Sequence, residues 1–410
     1  MTEAIHIDDL ARPVFAPHVV EMLDAMGAMA DDCPLDAPQL HDRASQETGL
    51  TDFGPLDYVE RLHVLLDALR DVEPVSPAGR VVFHAQVVQL LKNRLLLHDL
   101  LARHPEIHEI EVAPPIVVVG LPRTGTTHLH SLLASDPGLR SLPYWESLEP
   151  FPMAAEDGVE PDPRRGRTDA AVWFLNEAMP LFPRMHEMTT DHVHEEIQLL
   201  AVDFSTMFFE TLAPVPAWRA YYGAHDQTPH YRYLRLMLQA LQFTRGGERW
   251  VLKSPQHLEQ LPALSAVFPD ATAVVTHRDP VDVVVSMATM IAYTARMYTD
   301  RVDAPALGRY WADRIEDLLT ACMRDRHALD DERSLDVRFD EFMADETGTV
   351  RAVYDCAGRP FDARAQEAAA AYLAGHERGR LGRIEFRAED VGLDVDELRE
   401  RFAPYVARFL

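Results

Sequence analysis

A β-branched run that leads into a glycine-containing loop places the strongest constraint on this chain. Ile116 to Val119 is continuously apolar, as in strands that are buried on both faces of a parallel sheet. Gly120–Gly125 follows as a loop, and Thr126 to Ser135 predicts a helix that ends before Asp136-Pro137-Gly138. This strand–loop–helix unit predicts an α/β fold.

Two later segments repeat the pattern and extend the predicted sheet. Trp250–Lys253 and Ala271–His277 are short apolar runs, each followed by a turn and then a helix. Long helices are also predicted over His194–Leu212 and Tyr231–Phe243, and residues 151–170 are rich in the Pro, Gly, Asp and Arg typical of a surface loop. We therefore expect a mostly parallel sheet flanked by helices.

The N-terminal part of the chain has a different pattern. Val59–Leu69 and Val81–Leu101 carry apolar residues at helical spacing. We expect residues 1–112 to form a helical cap or dimerisation region and residues 113–410 to form the α/β domain, and a homodimer is one arrangement that this division allows.

Charge and composition limit the partners of the chain. With 39 basic and 66 acidic residues, its net charge is −27, which repels nucleic acid and anionic membrane surfaces at long range. No segment approaches the roughly 18–20 consecutive apolar residues of a membrane span. The acidic start lacks the order of a signal peptide, and the three cysteines are far apart, as is typical of reduced thiols. We expect a cytoplasmic protein without a membrane span or nucleic-acid partner.

The loop after the first predicted strand has the composition of a phosphate-binding turn. Its sequence is Gly120-Leu121-Pro122-Arg123-Thr124-Gly125-Thr126-Thr127. Backbone N–H groups converge in such a turn, and the following helix adds positive partial charge at its N-terminus. A nucleotide-kinase loop would end in GK[ST], which is missing here. The alternative is a tight turn that binds no ligand, but such a turn has no structural requirement for an arginine at position 123.

This loop resembles the 5′-phosphosulfate loop of sulfotransferases that use 3′-phosphoadenosine 5′-phosphosulfate (PAPS). Pro-Arg-Thr-Gly-Thr-Thr is similar to the arginine form of the bacterial branch, which also resembles tyrosylprotein sulfotransferases. The resemblance implies a P-loop-like fold with about five mostly parallel strands. It also implies that Arg123, Thr124, Gly125, Thr126 and Thr127 bind the donor.

A second motif follows the strand at Ala271–His277. Arg278 ends this strand and Ser286 lies two turns into the next predicted helix, so both side chains are able to face one anion. The pair is similar to the family motif that binds the 3′-phosphate of the donor. Gly379-Arg380-Leu381-Gly382-Arg383 resembles the C-terminal segment that closes over the same phosphate, which implies that Arg383 contacts it. The alternatives are an arginine paired with a nearby aspartate and a flexible basic loop.

A third motif is Lys253-Ser254-Pro255-Gln256-His257, at the end of a predicted strand where ligands of open parallel sheets gather. Lys253 matches the lysine of the family, whereas His257 is displaced from the histidine of cytosolic sulfotransferases. We expect Lys253 and Arg123 to be catalytic, although a solvated lysine at a strand edge is the alternative.

Transfer to a hydroxyl requires a general base, and three candidates are present. Glu146 is preferred because it follows the helix that begins at the phosphate-binding loop (the cradle helix), and because Trp145 can desolvate its carboxylate. His257 is the second candidate, and the segment from Asp191 to Glu196 is the third. His192 and His194 in that segment are also potential metal ligands. Their spacing suits a strand more than the helix expected to follow, so we predict no metal.

These motifs predict a sulfotransferase that acts on the hydroxyl of a small-molecule acceptor. A magnesium-dependent P-loop kinase and a catalytically inactive nucleotide-binding protein are the alternatives. Aromatic and methionine side chains between residues 204 and 222 suggest a hydrophobic acceptor, unless they belong to the core. They are Phe204, Met207, Phe208, Phe209, Trp218, Tyr221 and Tyr222.

Overall fold

The computed structural model describes residues 4–377 and 379–410. Residues 1–3, the first of the acidic start, lie outside the described part, as does Arg378, which directly precedes the C-terminal basic segment Gly379–Arg383. The described residues contain eight strands. They are β1 (Ala4–Ile5), β2 (Ala113–Gly120), β3 (Leu142–Pro143), β4 (Val193–His194), β5 (Arg249–Ser254), β6 (Thr272–His277), β7 (Ser334–Arg338) and β8 (Arg383–Ile384).

A four-stranded parallel sheet with the order β5–β2–β6–β7 forms the centre of the fold. The predicted mostly parallel α/β architecture is confirmed, with four strands in this sheet instead of about five. Val119 pairs with Ser254 and Val275, so the strands end together at one edge of the sheet. In open parallel sheets, ligands bind at this carboxyl edge. The sheet therefore aligns the three sequence motifs.

Burial on both faces explains why β2 is continuously apolar. Val117 and Val119 contribute to one apolar cluster, and Ile116 and Val118 contribute to a second cluster on the opposite face. Successive side chains of a strand point to opposite faces, so the two clusters require apolar residues at every position.

Helices cover the sheet and form most of the N-terminal part. The α-helices are α1 (Pro17–Gly27), α2 (Ala37–Thr48), α3 (Tyr58–Arg70), α4 (Pro77–Arg103), α5 (Thr126–Ala134), α6 (Tyr144–Leu148), α7 (Pro163–Ala178), α8 (Ile197–Ala201), α9 (Phe208–Leu212), α10 (Pro216–Gly223), α11 (Thr228–Arg245), α12 (Leu261–Val267), α13 (Pro280–Thr294), α14 (Ala304–Asp325), α15 (Phe339–Ala344), α16 (Glu346–Cys356), α17 (Ala363–Gly375) and α18 (Val395–Phe409). The helices predicted over Val59–Leu69, Val81–Leu101 and Tyr231–Phe243 correspond to α3, α4 and α11. None of the helices that the structure describes has the length and apolar character needed to cross a membrane.

The N-terminal helices pack directly on the rest of the chain. Arg61 of α3 and Arg94 of α4 both bind the buried carboxylate of Asp203, with N–O distances of 3.0 and 2.9 Å. Strand β1 pairs with β8 near the C-terminus. The division into a cap region of residues 1–112 and an α/β domain of residues 113–410 stays a prediction.

The helix predicted over His194–Leu212 is wrong, because the chain bends between three shorter elements there. Strand β4 ends at His194, α8 covers Ile197–Ala201, and α9 begins at Phe208. Phe204, between the helices, has a left-handed backbone with φ of 52°. Asp203 beside it binds Arg61, Arg94 and His230 from other segments. Such tertiary contacts outweigh a local helical preference.

The surface loop predicted over residues 151–170 is shorter than expected. Helix α7 begins at Pro163, where the carboxylate of Asp162 accepts a hydrogen bond from the Arg164 N–H at 3.0 Å. Proline suits the first helical position and aspartate caps it, so the composition typical of a loop also encodes a helix start.

Candidate active site

Two left-handed residues shape the loop between β2 and α5. Gly125 has φ of 83°, and a Cβ atom at this position would lie 3.0 Å from the Phe339 ring. Arg123 has φ of 69°, which is uncommon for a residue with a side chain. Strain of this kind is retained where surrounding contacts hold it and is frequent at functional sites. The loop thus turns the backbone tightly at the N-terminus of α5.

The two threonines that flank Gly125 are directed inward. The Thr124 hydroxyl donates to the carbonyl of Leu121 at 2.7 Å and lies 2.7 Å from the hydroxyl of Thr276. Thr126 is also buried, with 2% of its surface exposed. Thr124 therefore connects the loop to β6. If it also binds the sulfuryl donor, as the sequence predicts, it does so in addition to this structural hydrogen bond.

Arg123 connects the loop to the second motif. Its Nε donates to the Ser286 hydroxyl at 3.0 Å, and its guanidinium also donates to the backbone carbonyl of Met185. Burial, together with the charge of Arg278, lowers the pKa of Arg123 to about 10. A half-buried cation beside a second cation is a favourable position for an anion.

Arg278 approaches the same loop from the end of β6. One guanidinium nitrogen donates to the Arg123 carbonyl at 2.9 Å, and the guanidinium carbon lies 4.5 Å from the centre of the Phe339 ring. Its ion pair with Asp282 is longer, at 3.3 Å, and the Asp282 side chain is 63% exposed. The fold therefore brings Arg123, Arg278 and Ser286 together, while the binding of one phosphate by Arg278 and Ser286 stays a prediction.

Lys253 occupies the end of β5, on the other side of the loop. Its Nζ lies 3.3 Å from the Thr127 hydroxyl and forms an ion pair with Glu195. Only 2% of the residue is exposed, so it is not a solvated lysine at a strand edge. The carboxylate that binds this lysine belongs to Glu195, which the sequence analysis included only as part of the Asp191–Glu196 segment.

His257 is connected to Lys253 through a closed hydrogen-bond network. One ring nitrogen bonds to Glu196 and the other lies 2.7 Å from the Tyr231 hydroxyl. Glu196 also accepts a hydrogen bond from the Lys253 N–H at 2.8 Å. Burial opposes ionisation of Glu196, but the hydrogen bond and charge of His257 outweigh it and lower the pKa of the carboxyl. His257 is fully buried and both of its ring nitrogens are occupied.

Glu146 lies at a different position from these groups. Its carboxylate is fully buried and binds Arg140 at 2.6 Å through one oxygen and Arg245 at 2.8 Å through the other. The guanidinium of Arg245 also lies 4.7 Å from the Trp145 ring. Both oxygens are thus held by cations, an arrangement that the position of Glu146 after the cradle helix did not indicate.

The C-terminal basic segment lies against the residues that flank Met185. Arg380 binds Glu187 at 2.5 Å, and a Cβ at Gly382 would lie 3.0 Å from the Arg184 guanidinium. Arg383 belongs to β8 and is exposed. The segment is therefore close to the loop that Arg123 contacts, while a contact of Arg383 with the donor stays a prediction.

The aromatic residues between 204 and 222 pack mainly against one another in the interior. Phe204 and Phe209 stack at 6.2 Å, and Phe209 meets the edge of Trp218 at 5.3 Å. All three are fully buried. Together with Met207 and Tyr222 they are therefore core residues, which is the alternative considered for the set, whereas Phe208 and Tyr221 are only partly buried.

Comparison with known proteins shows the family of the chain. A sequence profile described as the sulfotransferase family matches residues 114–363. A curated relative, the omega-hydroxy-beta-dihydromenaquinone-9 sulfotransferase Stf3 of Mycobacterium bovis, is 25% identical over 261 residues. This match spans 60% of the chain and 63% of the relative, so the chain corresponds to less than two thirds of the length of that protein.

Two solved structures are similar over nearly their whole length. Sulfotransferase STF1 from Mycobacterium tuberculosis H37Rv is 30% identical with a TM-score of 0.79, and the alignment covers 90% of this chain and 98% of that one. Sulfotransferase STF9 from Mycobacterium avium is 28% identical with a TM-score of 0.81, covering 92% and 97%. The profile match to more than half of the chain and the shared fold show that the chain belongs to the sulfotransferase family.

Proposed function

We propose that this chain transfers the sulfuryl group of PAPS to the hydroxyl of a small, hydrophobic acceptor. The observation that carries the proposal is the convergence of Arg123, Arg278, Ser286 and Lys253 on one loop at the carboxyl edge of the sheet. Three cations from three separate segments, around a helix N-terminus, suit a donor with phosphates at both its 5′ and 3′ positions.

The donor would bind with its two ends on different parts of this site. The N–H groups of the loop and Arg123 would hold the 5′-phosphosulfate, together with Gly125, Thr126 and Thr127. Arg278 and Ser286 would hold the 3′-phosphate, with Arg383 as a further contact. The burial of Arg123 supports this assignment, because an anion would compensate the charge that burial and Arg278 disfavour.

During transfer, the bond between sulfur and the bridging oxygen breaks as the acceptor oxygen bonds to sulfur. Negative charge then grows on the leaving phosphate, as in related phosphoryl transfers with loose transition states. Lys253 and Arg123 would donate hydrogen bonds to that charge from fixed positions. Preorganised donors of this kind usually make the largest contribution to catalysis. Because these donors are supplied by the protein, we expect the transfer step to require no metal.

For the general base we propose Glu195. Its ion pair with Lys253 supports this choice, since it keeps the carboxylate beside the group that would stabilise the leaving phosphate. When Lys253 turns towards the developing phosphate charge, Glu195 becomes free to accept the acceptor proton. Glu146 is the alternative, although its two arginine partners occupy both carboxylate oxygens.

His257 and Glu196 would act as positioning residues. Their closed network with Tyr231 leaves neither nitrogen of His257 available to an acceptor. Glu196 accepts from the backbone N–H of Lys253, and it directly follows Glu195 in the chain. The network would therefore fix the distance between the proposed base and Lys253.

A hydrophobic acceptor is supported by the relative named for an omega-hydroxy-beta-dihydromenaquinone substrate. Met185 and Met188, both largely buried, lie in the segment that contacts Arg123 and are adaptable neighbours for such a molecule. A homodimer through the N-terminal region stays a prediction that analytical ultracentrifugation can test.

Two measurements test the function. Titration calorimetry should detect 3′,5′-adenosine bisphosphate binding in EDTA, whereas a kinase would instead bind ATP with Mg²⁺. Incubation with PAPS that carries labelled sulfate and a metabolite extract should then transfer the label to a hydroxylated, hydrophobic product identified by mass spectrometry. Binding that depends on magnesium would contradict the proposal. Binding without any transfer would favour the inactive nucleotide-binding alternative.

A further inference from the structure

Three histidines converge beside the proposed transfer site. His192 and His194 lie on either side of Val193 and point in the same direction, because side chains alternate along an extended strand. His186 reaches them from the preceding turn. One ring nitrogen of each lies within 4.8 Å of the others. The ring centres of His192 lie 5.4 Å from His186 and 5.8 Å from His194.

The three imidazoles make no side-chain hydrogen bonds within residues 4–377 and 379–410. His194 is only 8% exposed, and its buried Nδ1 has no partner among the described atoms. Leaving a buried polar group unpaired costs about 1–3 kcal/mol, so such a group in a native fold calls for an explanation. A ligand that accepts electron pairs from all three rings supplies one.

Neutral imidazole carries the nitrogen lone pair that coordinates a metal. His194 is buried and His186 and His192 are half-buried, so the three rings are largely shielded from water.

We propose that His186, His192 and His194 bind one Zn²⁺ ion through one nitrogen each. Zinc binds imidazole nitrogen at about 2.0–2.1 Å, and three histidines with a free fourth position are a known arrangement of zinc sites. Small side-chain rotations would close the present separations. Lys253 and Arg123 oppose a cation here, whereas Glu187 favours one and Glu195 forms an ion pair with Lys253.

The sequence spacing that argued against a metal now supports one. A pair two residues apart suits a strand, and β4 is a strand where a helix start was expected. The third ligand, His186, lies six residues before His192, and the bend of the chain between them brings its ring to the other two. This site lies beside the proposed donor site but is formed by different residues.

Titration calorimetry with ZnCl₂ on the full chain, without a histidine tag and freed of metal by EDTA and desalting, tests the proposal. We expect one ion per chain, and Co²⁺ in place of zinc should give the visible absorption of a tetrahedral complex. Loss of a residue that only supports a metal ligand weakens binding by up to about 100-fold, so His192→Ala, which removes a ligand, should weaken zinc binding by at least about 100-fold. His225→Ala is the matched control, because this exposed ring is bonded to the Tyr221 carbonyl and should leave zinc binding unchanged.

Two further variants keep the test decisive if one protein misfolds. His186→Ala and the double variant His186→Ala/His192→Ala should lose zinc while circular dichroism shows an intact fold. Affinity for 3′,5′-adenosine bisphosphate in EDTA should be unchanged, so a failure of the zinc site is distinguishable from a failure of the donor site. Absence of stoichiometric binding to the original chain, or its retention by the folded double variant, would overturn the proposal.

Discussion

Replacing Arg278 by alanine should weaken the binding of 3′,5′-adenosine bisphosphate much more than the binding of adenosine 5′-phosphate, which lacks the 3′-phosphate. The Arg278 side chain is 27% exposed and its guanidinium packs on the Phe339 ring, so the side chain is ordered before the ligand binds. Its competing ion pair with Asp282 is exposed, and such pairs contribute only about 0.3–0.5 kcal/mol. Most of the binding free energy of Arg278 is therefore available to a phosphate.

The expected magnitude follows from the loss of one charged hydrogen-bond partner. This costs about 1.5–3 kcal/mol, or about a 10- to 150-fold weaker affinity for the bisphosphate. The affinity for adenosine 5′-phosphate should fall by less than about threefold, because Arg278 affects this nucleotide only through its hydrogen bond to the Arg123 carbonyl. Arg278→Lys should be intermediate, because lysine keeps the charge but lacks the planar group that stacks on Phe339.

Titration calorimetry of both nucleotides in EDTA measures these affinities, with thermal denaturation as a check on folding. Arg364→Ala removes an exposed arginine of α17 and should change neither affinity. Equal weakening of the two nucleotides by Arg278→Ala would refute the reasoning. Arg278 would then act by holding the Arg123 loop instead of binding the 3′-phosphate.

Three further predictions concern the reaction itself and the network below it. Arg123→Ala should lower the rate of labelled-sulfate transfer by roughly 10²–10³ in a folded protein, and a rate within a few-fold of the original would remove Arg123 from the cradle. Glu195→Gln should keep bisphosphate affinity but lower turnover by about 10²–10⁴, whereas Glu146→Gln should mainly lower the melting temperature, and the reverse result would make Glu146 the base. Glu196→Gln should lower the free energy of unfolding at neutral pH by about 3 kcal/mol. Because the folded-state pKa of Glu196 is lowered, its contribution is present above the unfolded-state pKa and is lost as the pH falls through the folded value, so the difference in urea denaturation should shrink in acid. A difference that is unchanged by pH would contradict this origin.

Local sequence determined the sheet and the position of the three motifs at its carboxyl edge. The apolar run of β2 is dictated by burial on both faces, and the loop before α5 requires Gly125 because a side chain there would meet Phe339. Strands that run in parallel end at one edge, so residues at the ends of β2, β5 and β6 meet without further information. Arg123, Lys253, Arg278 and Ser286 could therefore be predicted together.

Only the tertiary structure decided what surrounds these residues. Glu146 was a reasonable base by its position in the chain, but Arg140 and Arg245 occupy its carboxylate, and Arg245 is 99 residues away. The predicted helix over His194–Leu212 is broken because Asp203, Glu196 and Thr206 bind distant partners. That break leaves β4 extended, which directs His192 and His194 towards His186 and places Glu195 on Lys253. The periodicity of a sequence predicts only the local structure of residues that are a few positions apart. The contacts described here join segments that are far apart in the chain, and local periodicity does not predict which distant segments meet.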